Sequence, residues 1–170
     1  CIIVKRNEIL DQKMKLFFTY AIIGTLIVTF CEQGSLFFEV PYTEFRIHSL
    51  ICNTMAFSVA PFIPIFIACS FCNTNFNKVR IWIFPAMTNM IFVMLSPFWG
   101  LIFKVSQENI YTRGPWYIIF IISYVLGIFF LFYETICFSK RYQTKNTYIL
   151  YLLLIFIMIG TSFQVFFPMV

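Results

Sequence analysis

Glu134 is the ionisable side chain that lies well inside a long apolar run of this chain. Ionisable residues in such runs are rare and mark function more often than other positions do. Glu134 follows Gly127 by seven residues and Ser123 by eleven, so the three side chains share one helix face. Two interpretations stay open. Glu134 faces neighbouring helices and contacts a ligand, or it reaches the headgroups near Lys140 and Arg141, which we favour because helix-end charges extend cheaply to the interface.

Three carboxamide side chains also lie within apolar runs, those of Asn53, Asn89 and Gln164. They could line a small ligand pocket between helices. They could also hydrogen-bond across helices, at about 0.6–2 kcal/mol each. We favour the structural role and keep ligand binding as the alternative.

No pattern in the chain is typical of catalysis or metal binding. His48 is the single histidine, expected at a helix end, where pH sensing is a minor alternative to an ordinary interfacial position. The six cysteines are scattered, and Cys69-x-x-Cys72 has no second pair or nearby histidine to complete a metal site. The chain contains no P-loop, Gly-x-Ser-x-Gly or HExxH. We therefore expect this chain to carry no active site and to hold no metal or cofactor.

The composition is that of a protein folded in lipid. Hydrophobic residues make up 61% of the chain and charged residues 11%, against roughly 25% charged in typical soluble domains. The net charge of +5 does not indicate nucleic-acid binding, because the cations lie between the apolar runs and form no basic face. The bilayer is thus the first expected partner.

Five apolar runs are long enough to be transmembrane helices, which predicts an all-α, polytopic helix bundle. A β-barrel would need alternating polarity, and runs such as YLLLIFIMIG do not alternate. The connections are short and polar, so residues 1–170 are expected to form a single domain. The predicted helices are 16–31, 47–72, 81–103, 116–138 and 148–167.

Prolines and a glycine should shape the packing of these helices. Pro61-x-x-Pro64 is expected to kink the second helix and to free backbone carbonyls near its middle. Pro97 is a further kink position in the third helix. Ser123-x-x-x-Gly127 is a small-residue pattern that lets helices approach closely.

Lysine and arginine counts predict the orientation in the membrane. Three cations lie on one predicted side, Arg46, Lys104 and Arg113. The other side, expected to be cytoplasmic, holds nine: Lys5, Arg6, Lys13, Lys15, Lys78, Arg80, Lys140, Arg141 and Lys145. Because the chain starts at Cys1 instead of Met, we expect its N-terminus to lie further upstream, with Cys1 to Val4 as the end of an earlier span. After the fifth helix the chain lies on the outer side, so a cytoplasmic output domain downstream would need one further span. That gives seven spans and a cytoplasmic C-terminus.

Several segments of the chain have a recognisable pattern. They are Asn53-Thr-Met-Ala-Phe-Ser-Val-Ala-Pro61-Phe-Ile-Pro64, Leu95-Ser-Pro-Phe-Trp-Gly-Leu-Ile-Phe103, Glu108-Asn-Ile-Tyr-Thr-Arg113-Gly-Pro-Trp116, Arg141-Tyr-Gln and Gly160-Thr-Ser-Phe-Gln164-x-Phe-Phe-Pro168. The most specific part is a Ser-Pro, a short outer loop and Tyr-x-Arg-Gly-Pro before an aromatic-rich helix. Together these segments resemble the multi-span N-terminal region of membrane-bound bacterial diguanylate cyclases of the GGDEF type, and a related seven-helix region occurs in some histidine kinases.

The resemblance implies a sensory input module in the bacterial cytoplasmic membrane. The module would pass a small-molecule or membrane signal, of unknown identity, to a cytoplasmic output domain that makes cyclic di-GMP. It also implies a homodimer, and Arg113 becomes a further candidate for ligand contact. The alternatives are a histidine kinase sensor region and a transporter or permease fragment, with an intramembrane enzyme last.

Overall fold

The computed structural model describes residues 12–38, 43–71 and 76–142, together with Leu152, Ile155 and Ile159. Five α-helices and one β-hairpin make up this part of the chain. A 3₁₀ turn, Thr43–Phe45, precedes the second helix. The elements are α1 (Gln12–Phe38), α2 (Arg46–Val59), α3 (Phe62–Phe71), α4 (Phe76–Trp99), β1 (Phe103–Val105), β2 (Tyr111–Arg113) and α5 (Tyr117–Tyr142).

Four helical segments in the described part are long and apolar enough to cross a membrane, which confirms the predicted helical membrane bundle. They are Gln12–Phe38, Arg46–Phe71, Val79–Trp99 and Tyr117–Lys140. The count is one fewer than the five predicted. The fifth predicted helix, 148–167, lies outside the described residues except for Leu152, Ile155 and Ile159, which are helical and exposed.

Two helices extend well beyond their predicted ends. The first was predicted to stop at residue 31, before Glu32, but α1 continues to Phe38. Glu and Gln are good helix formers, so a charge marks the edge of the apolar run and not the end of the helix. Helix α5 likewise continues past residue 138 to Tyr142, through Lys140 and Arg141, which are also good helix formers.

The third predicted helix ends early, and the connection that follows it is a β-hairpin. Helix α4 stops at Trp99, not at residue 103, because Gly100 has a φ of +62° and its N–H bonds the Ser96 carbonyl at 2.7 Å. Strands β1 and β2 then pair antiparallel, with Lys104 opposite Thr112. The hairpin turn includes Asn109 at φ +61°, a conformation that asparagine tolerates better than most residues.

The second spanning segment is broken in its middle. Helix α2 ends at Val59, α3 begins at Phe62, and a turn at Ala60 and Pro61 separates them. We call this turn, together with Pro64, the proline break. The segment packs on α1 on one side, where a Cβ on Gly24 would lie 3.3 Å from Ile63. On its other sides it packs on α4 and α5.

Two clusters of buried apolar side chains lie at different levels of the bundle. The inner cluster joins α3, α4 and α5 through Ile65, Ala68, Cys69, Ala86, Phe130 and Leu131. The outer cluster joins α4, the hairpin and α5 through Val93, Ile102, Phe103, Val105 and Phe120. The proline break lies between these two levels. Outward-facing apolar side chains such as Phe30 and Phe84, both more than 70% exposed, are suited to contact lipid.

The hairpin covers one end of the bundle. The Asn109 amide donates to the Phe38 carbonyl at the end of α1, and Arg46 at the start of α2 donates to the Val105 carbonyl at 3.5 Å. At the opposite end, the rings of Phe71 and Phe138 lie 5.3 Å apart. Arg46, Lys104 and Arg113 belong to elements of the hairpin end, whereas Lys13, Lys15, Arg80 and Lys140 belong to the opposite end.

Candidate functional site

Asn89 of α4 bonds a backbone carbonyl at the proline break. Its Nδ2 donates to the Phe57 carbonyl oxygen at 2.9 Å. In a continuous helix that carbonyl would accept the N–H of residue 61, but Pro61 has none. Asn89 is fully buried, so its amide supplies the missing donor where no lipid group could.

The second carbonyl freed by the prolines finds a local donor. Pro64 cannot bond the Ala60 carbonyl, and the Ile63 N–H bonds it at 3.2 Å. This bond spans three residues, as in a 3₁₀ turn, and tightens the chain at the break. Both carbonyls that the two prolines free are therefore satisfied, one from within the segment and one from α4.

Gly127 brings α5 against the same break. A Cβ on Gly127 would lie 2.9 Å from Pro64 Cγ and 3.2 Å from the Pro61 carbonyl oxygen. Contacts below 3.0 Å force a neighbour to move, and here the neighbours are a proline ring and backbone. Glycine is thus required for this approach, as in other small-residue helix contacts. Pro61, Pro64, Asn89 and Gly127 meet at one place in the fold.

Asn53 lies in a separate polar contact between α1 and α2. Its Nδ2 donates to Ser35 Oγ at 2.7 Å and to the Ser49 carbonyl at 2.9 Å. Asn53 is 7% exposed and holds the two helices in register. The arrangement agrees with the structural role favoured from the sequence.

Glu134 is buried against its neighbours, at 5% exposure. It lies on the α5 face that carries Gly127 and Leu131, seven and three residues before it. The favoured expectation, a carboxylate extended to the headgroups, does not fit this burial. Glu134 points into the bundle because it lies on the same helix face as Ser123 and Gly127. Its position near the end of α5 does not turn it outwards.

Arg113 lies on the hairpin and not in the bundle interior. It is exposed, and its guanidinium lies 4.6 Å from the centre of the Tyr117 ring. Gly114 follows it where a Cβ would lie 2.2 Å from the Leu101 carbonyl oxygen, and the Gly114 N–H bonds the Ile102 carbonyl at 2.8 Å. The Arg-Gly-Pro sequence therefore has a structural reason, the tight passage from β2 into α5.

Pro97 lies in the last turn of α4, next to a serine that holds the helix end. The Ser96 hydroxyl donates to the Phe92 carbonyl and accepts the Ile102 N–H, each at 2.9 Å. Gln164 is the one candidate residue that lies outside the described part of the chain.

Phe57 is the central residue of the site that the sequence did not indicate. Its ring stacks on Phe103 of β1 at 5.7 Å and meets Phe120 of α5 edge-on at 4.9 Å. Its carbonyl is the acceptor for Asn89. Counting four residues back from Pro61 would have identified that carbonyl, whereas its donor cannot be identified from spacing.

Within the described residues, no group of three or more His, Cys, Asp and Glu side chains comes together that could hold a metal ion. His48 is exposed beside Phe38 and Phe45, Cys69 is buried in the inner cluster, and Cys72 lies outside the described residues.

The fold defines the class of the chain, a polytopic α-helical membrane protein. No protein-family model, curated protein or solved structure matches it.

Proposed function

We propose that the chain is the membrane-embedded sensory input module of a bacterial signalling protein. The module lies in the cytoplasmic membrane and passes a signal to a cytoplasmic output domain downstream, a diguanylate cyclase in the first instance and a histidine kinase in the second. The proposal is supported by the resemblance of the Ser96-Pro97 and Arg113-Gly114-Pro115 segments and by the excess of cations at the end opposite the hairpin.

The hydrogen bond from Asn89 to the Phe57 carbonyl carries this proposal. In the structure this bond closes a helix that is broken at prolines, and we propose that the same place also has an open arrangement in which the bond is broken, so that it acts as a joint. Signalling by population shift requires such an element, together with a ligand that prefers one arrangement.

The joint is connected to the outer end of the protein through Phe57. The Phe57 ring packs on β1 of the hairpin, while its carbonyl is part of the joint. A ligand or lipid that shifts the hairpin therefore moves the residue that Asn89 holds. Beyond the break, α3 packs along α5 towards the cytoplasmic end, where a change in helix packing alters how the output domains of a homodimer meet.

The coding sequence beyond Val170 tests the proposal directly. We expect one further apolar run followed by a GGDEF-type or kinase domain. Further helices without a soluble domain would contradict it.

A transporter is the second candidate, because the second spanning segment is broken near a buried amide. Broken helices around a polar midplane site are typical of transporters. Such a protein would continue into more helices and would move a solute across vesicles, with transport reduced in Asn89→Leu. The absence of an output domain and a measurable solute flux would together favour it over the sensor.

A further inference from the structure

Three buried polar atoms without a hydrogen-bond partner in the protein belong to the helices that meet at the proline break. They are Ser58 Oγ, Asn89 Oδ1 and Ser123 Oγ. Their residues are 4%, 0% and 2% exposed. Buried polar groups in native proteins are nearly always hydrogen-bonded, to protein or to ordered water.

The packing of α5 along the second spanning segment places the two serines at one level. Phe57 meets Phe120, and Pro61 meets Gly127, so the two segments run in the same direction. Ser58 directly follows Phe57, and Ser123 lies between Phe120 and Gly127.

From helix periodicity we infer that both hydroxyls face this contact. Ser123 is three residues after Phe120 and four before Gly127, which places it on their helix face. Ser58 is three residues before Pro61 and shares its side of the helix. The Asn89 amide comes from a third helix, α4, and lies at the same level because its Nδ2 bonds the Phe57 carbonyl.

We propose that this place is a binding site for ordered water within the membrane-spanning bundle. Water fits the three groups because it donates to the Asn89 oxygen and exchanges donor and acceptor roles with two hydroxyls. Buried waters typically make about three such hydrogen bonds. A metal cation fits less well, since all three side chains are neutral and supply no compensating charge.

Water at this site would have a consequence for the joint. A water molecule beside the Phe57 carbonyl competes with Asn89 for it, so the joint opens without leaving a buried carbonyl unsatisfied. The water site is a property of the break itself, whether or not the chain is a sensor.

Radiolytic hydroxyl-radical labelling of the full chain in lipid nanodiscs tests the site, because bound water generates radicals beside buried side chains. We expect oxidation of Phe57 and Phe120 well above that of Phe130, which lies in the apolar inner cluster. The double variant Ser58→Ala/Ser123→Ala should lower that oxidation several-fold. Ser70→Ala, a buried serine whose hydroxyl bonds the Ile67 carbonyl at 2.6 Å, should leave it unchanged.

Thermal unfolding of the same variants gives an independent readout. If water bridges the hydroxyls, the double variant loses those bonds and melts at a lower temperature. If the hydroxyls are dry, removing them relieves a desolvation penalty, and the melting temperature rises. A rise, or labelling of Phe57 and Phe120 that does not respond to the double variant, would overturn the proposal.

Discussion

The side chain of Asn89 and the backbone of Phe57 form a hydrogen bond of 2.9 Å across two helices. The acceptor is the carbonyl whose helical partner is removed by Pro61. One helix thus contains a carbonyl without its helical donor, and another helix supplies a side-chain donor for it.

Asn89→Ala should destabilise the protein by about 1–3 kcal/mol, since it leaves a buried carbonyl without a donor. In a Pro61→Ala background the same substitution should cost less, because residue 61 then supplies its own N–H. The free energy of unfolding in mixed micelles measures both. Thr88→Ala is the matched control, because Thr88 bonds only within its own helix, to the Phe84 carbonyl. Equal costs of Asn89→Ala in the two backgrounds would refute the coupling.

Gly127→Ala should separate α5 from the proline break and cost about 1–3 kcal/mol, as overpacking does. Gly24→Ala provides the comparison, since its new Cβ would meet only side-chain atoms, the closest at 3.3 Å. Because alanine favours helix over glycine by about 1 kcal/mol, Gly24→Ala should be neutral or stabilising. Melting temperatures in detergent distinguish the two, and a neutral Gly127→Ala would show that the contact is not tight.

The proline break and the hydrogen bond that Asn89 makes to it show what residue spacing in the sequence can and cannot predict. Proline chemistry is local, so an interruption at Pro61 can be expected from the sequence. The hydrogen bond depends on a residue of another helix, 32 positions away from Phe57, and no periodicity indicates which one. For the same reason Asn53 and Asn89 look equivalent in the sequence, although one holds α1 to α2 and the other closes the break.

The hairpin was missed for a different reason. Its strands have three residues each, and the segment is polar enough to be taken for an irregular loop. The residues that define it, Gly100 and Asn109 at positive φ and Gly114 in a close approach, have meaning only once the backbone is known. The helices themselves were predictable because length and hydropathy are sufficient to define a span.

Gly114→Ala should disrupt the hairpin, since the added Cβ would lie 2.2 Å from the Leu101 carbonyl oxygen, which is backbone and cannot turn aside. We expect faster hydrogen exchange at the amides of Ile102 to Val105 and a lower melting temperature. Gly34→Ala is the control, because its Cβ would meet chiefly the Cys52 side chain, at 3.1 Å. Unchanged exchange in Gly114→Ala would contradict the tight passage.

The cation distribution predicts that the hairpin lies outside the cell membrane and that the end of α5 lies inside. Gln107→Cys and Lys140→Cys place a thiol at two exposed positions, one at each end. A membrane-impermeant maleimide should label residue 107 in intact spheroplasts and residue 140 only after permeabilisation. The chain without the added cysteine gives the background from the native thiols. The reverse pattern would invert the topology.

The level of cyclic di-GMP in cells that produce the full-length protein tests the central claim most directly. We predict that Asn89→Leu changes this level relative to the native protein at equal amounts in the membrane, whereas Thr88→Leu on the same helix does not. An unchanged level in Asn89→Leu, with the protein inserted and folded, would contradict the account of the proline break as a signalling joint.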